Sequence, residues 1–169
     1  MQHDVIQNVF QFFFHNRWFM NFSDFLNDVK TKANELKTQA LKFKNKEFLE
    51  AAMAGSALIA MADGKISSEE KQKMVKFIEN HDALSIFTTS DVIKAFQDFV
   101  GQIEFDKDIG EAKAFLALGK MKSNAEAGRL LIRMMIAIAS SDGDFDSQEQ
   151  IVAAKIAKEL ALNPAEFGL

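Results

Sequence analysis

Two short stretches of this chain set carboxylates in the same pattern, and acids repeated in this way are candidates for holding a cation. The first reads Ala60-Met61-Ala62-Asp63-Gly64-Lys65-Ile66-Ser67-Ser68-Glu69-Glu70. The second reads Ala139-Ser140-Ser141-Asp142-Gly143-Asp144-Phe145-Asp146-Ser147-Gln148-Glu149. One offset of 79 residues relates Asp63 to Asp142 and Glu70 to Glu149. A duplication that keeps both acids suggests two half-sites converging on one ion. Asp63, Glu70, Asp142 and Glu149 form an all-oxygen set, with Asp144 and Asp146 as additional donors. Such a set suits a hard divalent cation, Ca²⁺ first, with Mg²⁺ or Mn²⁺ as alternatives. Zn²⁺ is disfavoured, because neither stretch contains His or Cys. The spacing is not that of an EF-hand. Counted from Asp142, the sixth position is Ser147 rather than Gly and the twelfth is Ala153 rather than Glu.

The same residues have a folding role that needs no metal. Asp-Gly is ordinary turn chemistry, with Gly supplying the left-handed backbone that ends a helix. Ser67 and Asp146 are natural N-caps. Glu70 and Glu149 are then the third helical residues of two capping boxes, each cap contributing about 0.5–2 kcal/mol. Capping leaves two things unexplained. Asp63 and Asp142 follow apolar helical runs, and a negative charge at a helix C-terminus costs about 0.3–1 kcal/mol. Asp142, Asp144, Asp146 and Glu149 also repel one another unless solvated or neutralised. A third acidic group, Glu104, Asp106, Asp108 and Glu111, reads as a solvated loop and helix start.

Catalysis has little to work with. No nucleophile–His pair is readable, no Gly-rich phosphate loop occurs, and no Cys is present. His3, His15 and His81 stand outside the acidic stretches and read as surface residues. A non-enzymatic protein is expected.

The elements that must position these acids are helical. With 169 residues the chain can bury a real core. It is 48% apolar, has one Pro and eight Gly, and is rich in Ala, Leu, Lys and Glu. Zero Tyr and Cys supply sheets and disulfides poorly. Residues 47–62 read as an apolar helix whose Gly55, Ser56 and Ala57 let a neighbour approach closely. Ser67–Asn80 follows, with Met74, Phe77 and Ile78 inward. The next helix runs through Val92, Ile93, Phe96 and Val100 and closes at Gly101. Asp108–Met121 buries Ile109, Ala112, Phe115, Leu116 and Leu118. Ala125–Ser141 is strongly apolar, and the helix after Asp146 points Ile151, Val152, Ile156 and Leu160 inward. The expected fold is all-α, a single compact bundle of about seven to eight helices with an internal pseudo-twofold helix–turn–helix repeat.

The front differs in charge. Residues 1–46 hold seven Lys/Arg against four Asp/Glu, and residues 47–169 hold 13 against 20. The acidic body argues against nucleic acid as a partner. Residues 20–45 read as a basic amphipathic helix. Phe22, Phe25, Lys30, Lys32 and Lys37 would meet a membrane surface or a partner, or the helix packs on its own domain beneath a solvated lysine face. Residues 1–19 crowd Phe10, Phe12, Phe13, Phe14, Trp18 and Phe19 and read as an extension. They are too short to span a bilayer, lack signal-peptide features, and precede Met20, itself a candidate start.

The twice-occurring Ala-x-Asp-Gly and helix-opening Glu resemble the TerB family of tellurite-resistance proteins. The supporting stretches are Phe43-Lys44-Asn45-Lys46, Ser67–Met74, Ser141–Asp146 and Pro164-Ala165-Glu166-Phe167-Gly168-Leu169. The resemblance covers about residues 20–169. It implies an all-helical domain and a divalent-cation site on Asp63, Glu70, Asp142 and Glu149. It also implies a stress-response role, other tellurite-resistance proteins as partners, and a cytoplasmic location with peripheral association at the inner membrane. One departure stands out: the first stretch has Lys65 and Ser67 where the second has Asp144 and Asp146.

Overall fold

The computed structural model describes residues 21–169, so the extension at 1–19 and Met20 lie outside the described residues. Among the described residues eight α-helices follow one another: α1 Phe22–Thr31, α2 Ala33–Ala40, α3 Lys46–Ala60, α4 Ser68–Asn80, α5 Thr89–Phe105, α6 Lys107–Gly119, α7 Ala125–Ala139 and α8 Ser147–Glu159. Short 3₁₀ turns stand at Leu41–Phe43, Asp82–Leu84, Ser140–Asp142 and Pro164–Phe167, and no strand occurs among the described residues.

Two helices form the centre. Every residue of α3 from Ala51 to Ile59 is buried, as is almost all of α7 from Ala127 to Ala139. A helix apolar on all sides belongs inside a bundle, and α3 packs against α5, α6, α7 and α8. The small residues of α3 make this close packing feasible. A Cβ placed on Gly55 would stand 1.6 Å from the Met135 sulfur of α7. The buried Ser56 hydroxyl is satisfied by donating to the Ala52 carbonyl at 2.8 Å.

Five expectations are corrected, the last at His81. First, the helix expected over 20–45 breaks at Lys32, where φ and ψ are −106° and 33°. No Gly or Pro causes the break. It turns the chain from α7, which α1 covers, toward the 82–84 turn, which α2 covers. The apolar face of this segment belongs to the core: Phe25, Val29, Leu36 and Ala40 are buried. Phe25, expected at a membrane or partner contact, is 1% exposed. Lys30 and Lys32 remain on the surface, and Lys32 pairs with Asp28 at 2.8 Å. Second, α5 continues through Gly101 to Phe105. Burial of Val92, Phe96, Val100 and Ile103 outweighs the roughly 1 kcal/mol helix penalty of Gly.

Third, the buried face of α6 is turned: Leu118 lies inside as expected and Phe115 partly so, but Ile109, Ala112 and Leu116 do not. Its buried residues are Gly110, Ala114, Ala117 and Leu118, while Ile109 and Leu116 are 56% and 72% exposed. The reason is a close approach: a Cβ on Gly110 would lie 2.5 Å from backbone atoms of Ile103. Only the small-residue face of α6 fits against α5. Fourth, Ile151 of α8 is 54% exposed.

His81 is not a plain surface residue either. It is half buried, its ring packs on Phe77 at 4.7 Å between centroids, and its Nδ1 accepts from the Ala83 N–H at 3.2 Å. Burial pushes the imidazole below its ordinary value, against a weaker upward pull from Asp82. The folded state thus binds the proton less readily than the unfolded chain. The stability it contributes is full above the unfolded value, about 6.5, and is lost as pH falls through the folded one. Urea unfolding between pH 8 and 5 should show this decline, and His81→Gln should flatten it. An unchanged slope would remove His81 as its source.

Candidate functional site

Each acidic stretch follows a central helix and precedes a capped one. After α3, Gly64 takes φ +93° and its N–H reaches the Met61 carbonyl at 2.9 Å. After α7, Gly143 takes φ +104° and its N–H reaches the Ser140 carbonyl at 3.0 Å. Both glycines stand in the left-handed region that side chains disfavour. The turns lead into two complete capping boxes. Ser67 Oγ accepts from the Glu70 N–H at 3.2 Å while Glu70 Oε2 accepts from the Ser67 N–H at 2.7 Å. Asp146 Oδ1 accepts from the Glu149 N–H at 2.9 Å while Glu149 Oε2 accepts from the Asp146 N–H at 2.8 Å. The Ser67 backbone N–H, helped by the Ser67 hydroxyl, holds the Glu70 carboxyl below the usual glutamate range.

The two stretches meet. A cleft of about 450 Å³ is lined by Asp63, Lys65 and Glu70 from the first and by Asp144, Phe145, Asp146 and Glu149 from the second, with Ile59, Ala60 and Ala62 along its wall. The Asp142 side chain lies outside the described part of the structure. Asp63 Oδ1 accepts from the Lys65 N–H at 3.2 Å, and Asp146 Oδ1 also accepts from the Gln148 N–H at 2.7 Å. Asp63 Oδ2, Glu70 Oε1 and Asp146 Oδ2 stand outside these bonds. These are hard, anionic oxygens of the kind Ca²⁺ and Mg²⁺ take. They are not gathered, however: among the described residues no three Asp, Glu or His side chains stand close enough together to hold one ion. The donor chemistry suits a hard divalent cation.

Two cleft residues were missed from the sequence. Lys65 brings a cation to the same wall, a feature visible only as the unequal partner of Asp144. Phe145 stands between two acids and packs on Phe22 of α1, with ring centroids 4.9 Å apart. Its counterpart by offset, Ile66, is buried. At the root of the second stretch, the buried Ser141 Oγ has no hydrogen-bond partner among the described residues, an arrangement that costs about 1–3 kcal/mol.

The third acidic group includes the expected helix start but no real loop, since Glu104 lies in the last turn of α5 and only Asp106 separates that helix from α6. Asp106 caps α6 by accepting from the Ile109 N–H at 3.0 Å, and Glu104 pairs with Lys71 at 2.6 Å. No helix among the described residues is long and apolar enough to cross a membrane.

Comparison with known proteins places these features in a family context. The family model described as "Tellurite resistance protein TerB" matches residues 49–169. The "Tellurium resistance protein TerB" of Alcaligenes sp is 36% identical over 118 residues, covering 69% of this chain and 97% of that protein. No match is found among solved structures.

Proposed function

This chain belongs to the TerB family of tellurite-resistance proteins, and on that premise we propose that it is a non-enzymatic stress-response protein that binds a divalent cation between its two acidic loops. The observation that carries the reading is the shared cleft, to which each loop contributes carboxylates. Asp63 and Glu70 supply oxygens from one side, Asp142 and Glu149 from the other, with Asp144 and Asp146 as further donors. Ca²⁺ is the first candidate, because its flexible coordination tolerates donors from two separate loops better than the strict octahedron of Mg²⁺; Mn²⁺ is the remaining alternative. A cation also relieves the repulsion among the second loop's acids. Within the cell the reading places the protein in the cytoplasm, working with other tellurite-resistance proteins. Peripheral association with the inner membrane would use the exposed lysine face of the N-terminal helices rather than their apolar one.

The test is thermal unfolding of the full chain after chelation, then with added Ca²⁺, Mg²⁺ or Mn²⁺. At 100 times its dissociation constant, an ion should stabilise the fold by about 2.7 kcal/mol. In a domain of this size that raises Tm by roughly 5–10 °C. Asp63→Ala/Asp142→Ala should abolish the shift.

A second reading is a helical scaffold whose acids serve as caps and partner contacts. It is favoured by the engagement of Glu70 and Glu149 in capping boxes. No thermal shift at millimolar ion would select it.

A further inference from the structure

We propose that the outer face of α6 pairs with the same face of a second copy of this chain, the two α6 helices running antiparallel. The pairing needs no bound ion and stands apart from the cation-binding reading above.

The apolar side chains of α6 are set out against the usual rule. Its buried positions are mostly small, Gly110, Ala114 and Ala117 beside Leu118. Ile109, Ala112 and Leu116 lie outside. Spaced i, i+3 and i+7, these three share one line along the helix. Phe105, the last residue of α5, borders the same groove as Ile109 and Lys113 and is 94% exposed. The groove has room to receive a side chain, since Gly101 also lines it and a Cβ there would meet nothing within 4 Å. A lone exposed Leu or Ile is ordinary on a protein surface. Here Phe105, Ile109 and Leu116 are three of the five large apolar side chains exposed among the described residues, and they follow one another along one face. Grouped exposure of this kind marks a contact surface.

The order of charge identifies the occupant. Residues 104–111 hold four Asp/Glu and one Lys, whereas residues 112–122 hold three Lys and no acid. This order suits the macrodipole of α6 itself, and it also makes the face complementary to its own reversed copy. In an antiparallel pair the acidic half of each helix meets the basic half of the other, with Lys113 opposite Asp106 of the other copy. A parallel pair would set acid beside acid and Lys beside Lys. The apolar line agrees with the antiparallel direction. Reversal sets Ile109 against the small Ala112, so the helices can approach closely at the centre, and sets Leu116 against Phe105 at each end. Both copies use the same patch, so the contact closes at two. A seam of about three helical turns is at the small end of specific interfaces, and the expected dissociation constant is on the order of micromolar.

Sedimentation equilibrium of the full chain, from below to well above micromolar concentration, tests this. The parent should pass from monomer to dimer across that range. Phe105→Ser and Leu116→Ser should each weaken the association by about tenfold or more. Both side chains face solvent in the monomer, so both variants should fold, which circular dichroism checks. Leu41→Ser, an exposed apolar residue outside α5 and α6, should leave the association unchanged. Added salt should loosen the parent dimer, because it screens the opposed charges that hold the antiparallel pair. A parent that stays monomeric throughout would overturn the proposal and leave this face to residues 1–20 or to a different protein. A dimer untouched by both Phe105→Ser and Leu116→Ser would overturn the interface, and one that tightens with salt would overturn the antiparallel direction.

Discussion

Phe25→Ala lowers the unfolding free energy by about 3–5 kcal/mol, a loss that moves Tm by roughly 10 °C in a domain of this length. The side chain is 1% exposed and touches two rings, Phe22 at 6.3 Å and Phe167 at 5.5 Å between centroids. Its removal leaves a cavity among α1, the C-terminal tail and the helix beneath them. The measurement is denaturant unfolding at neutral pH, beside Lys30→Ala as a surface control that should change stability by no more than about 0.5 kcal/mol. The contrast tests where the N-terminal segment belongs. A residue that serves a membrane or a partner would leave the free protein's stability nearly unchanged when truncated. The family match begins at residue 49, yet Phe25, Val29, Leu36 and Ala40 lie in the same buried cluster as α3 and α7. The segment ahead of the matched region is thus a structural part of this domain. Deleting residues 1–45 to test membrane contact would disrupt the core along with any contact surface.

Gly110→Ala costs up to about 2 kcal/mol, an overpacking penalty of about 1–3 kcal/mol for a helix pressed against its neighbour less about 1 kcal/mol for the better helix propensity of Ala. The added carbon would meet backbone atoms of Ile103 at 2.5 Å and of Gln102 at 2.7 Å. Backbone cannot rotate aside as the end of a side chain can, so α6 has to separate from α5. Gly101→Ala is the internal control. Gly101 is exposed in the middle of α5, and a Cβ there meets nothing within 4 Å. That substitution should raise stability by about 0.5–1 kcal/mol. Chemical denaturation of the two variants should therefore give opposite signs for the same change of residue. Equal signs would mean that α5 and α6 do not approach as described.

These two glycines illustrate how far reading the chain alone could go. Both lie in segments of helical periodicity. Taken alone, Gly101 looks like a helix stop, and Gly110 like an ordinary helix position. What distinguishes them is the neighbour each one faces, and residue spacing carries no record of neighbours. The same limit explains the turned face of α6, where only Leu118 of the expected set is fully buried. Ile109 and Leu116 are the more apolar choice for burial by type, and the close approach at Gly110 leaves them outside. For Phe25 the pattern leaves two surroundings open, because an amphipathic helix with a basic side looks the same whether its apolar face meets lipid or its own domain; the structure buries it in the domain.

Local determinants were legible. The all-α class, the extent of the central apolar helices, the left-handed glycines of both Asp-Gly turns and the two capping boxes all follow from interactions within a few residues. So did the family, since its pattern is itself a local run of residues. Tertiary structure alone brought Asp63 and Glu70 into one cleft with Asp144, Asp146 and Glu149. It added Lys65 to that wall and set Phe145 against Phe22. Caps and turns are decided by neighbours along the chain, whereas a site shared by two loops exists only once α3 and α7 have packed and brought their ends together.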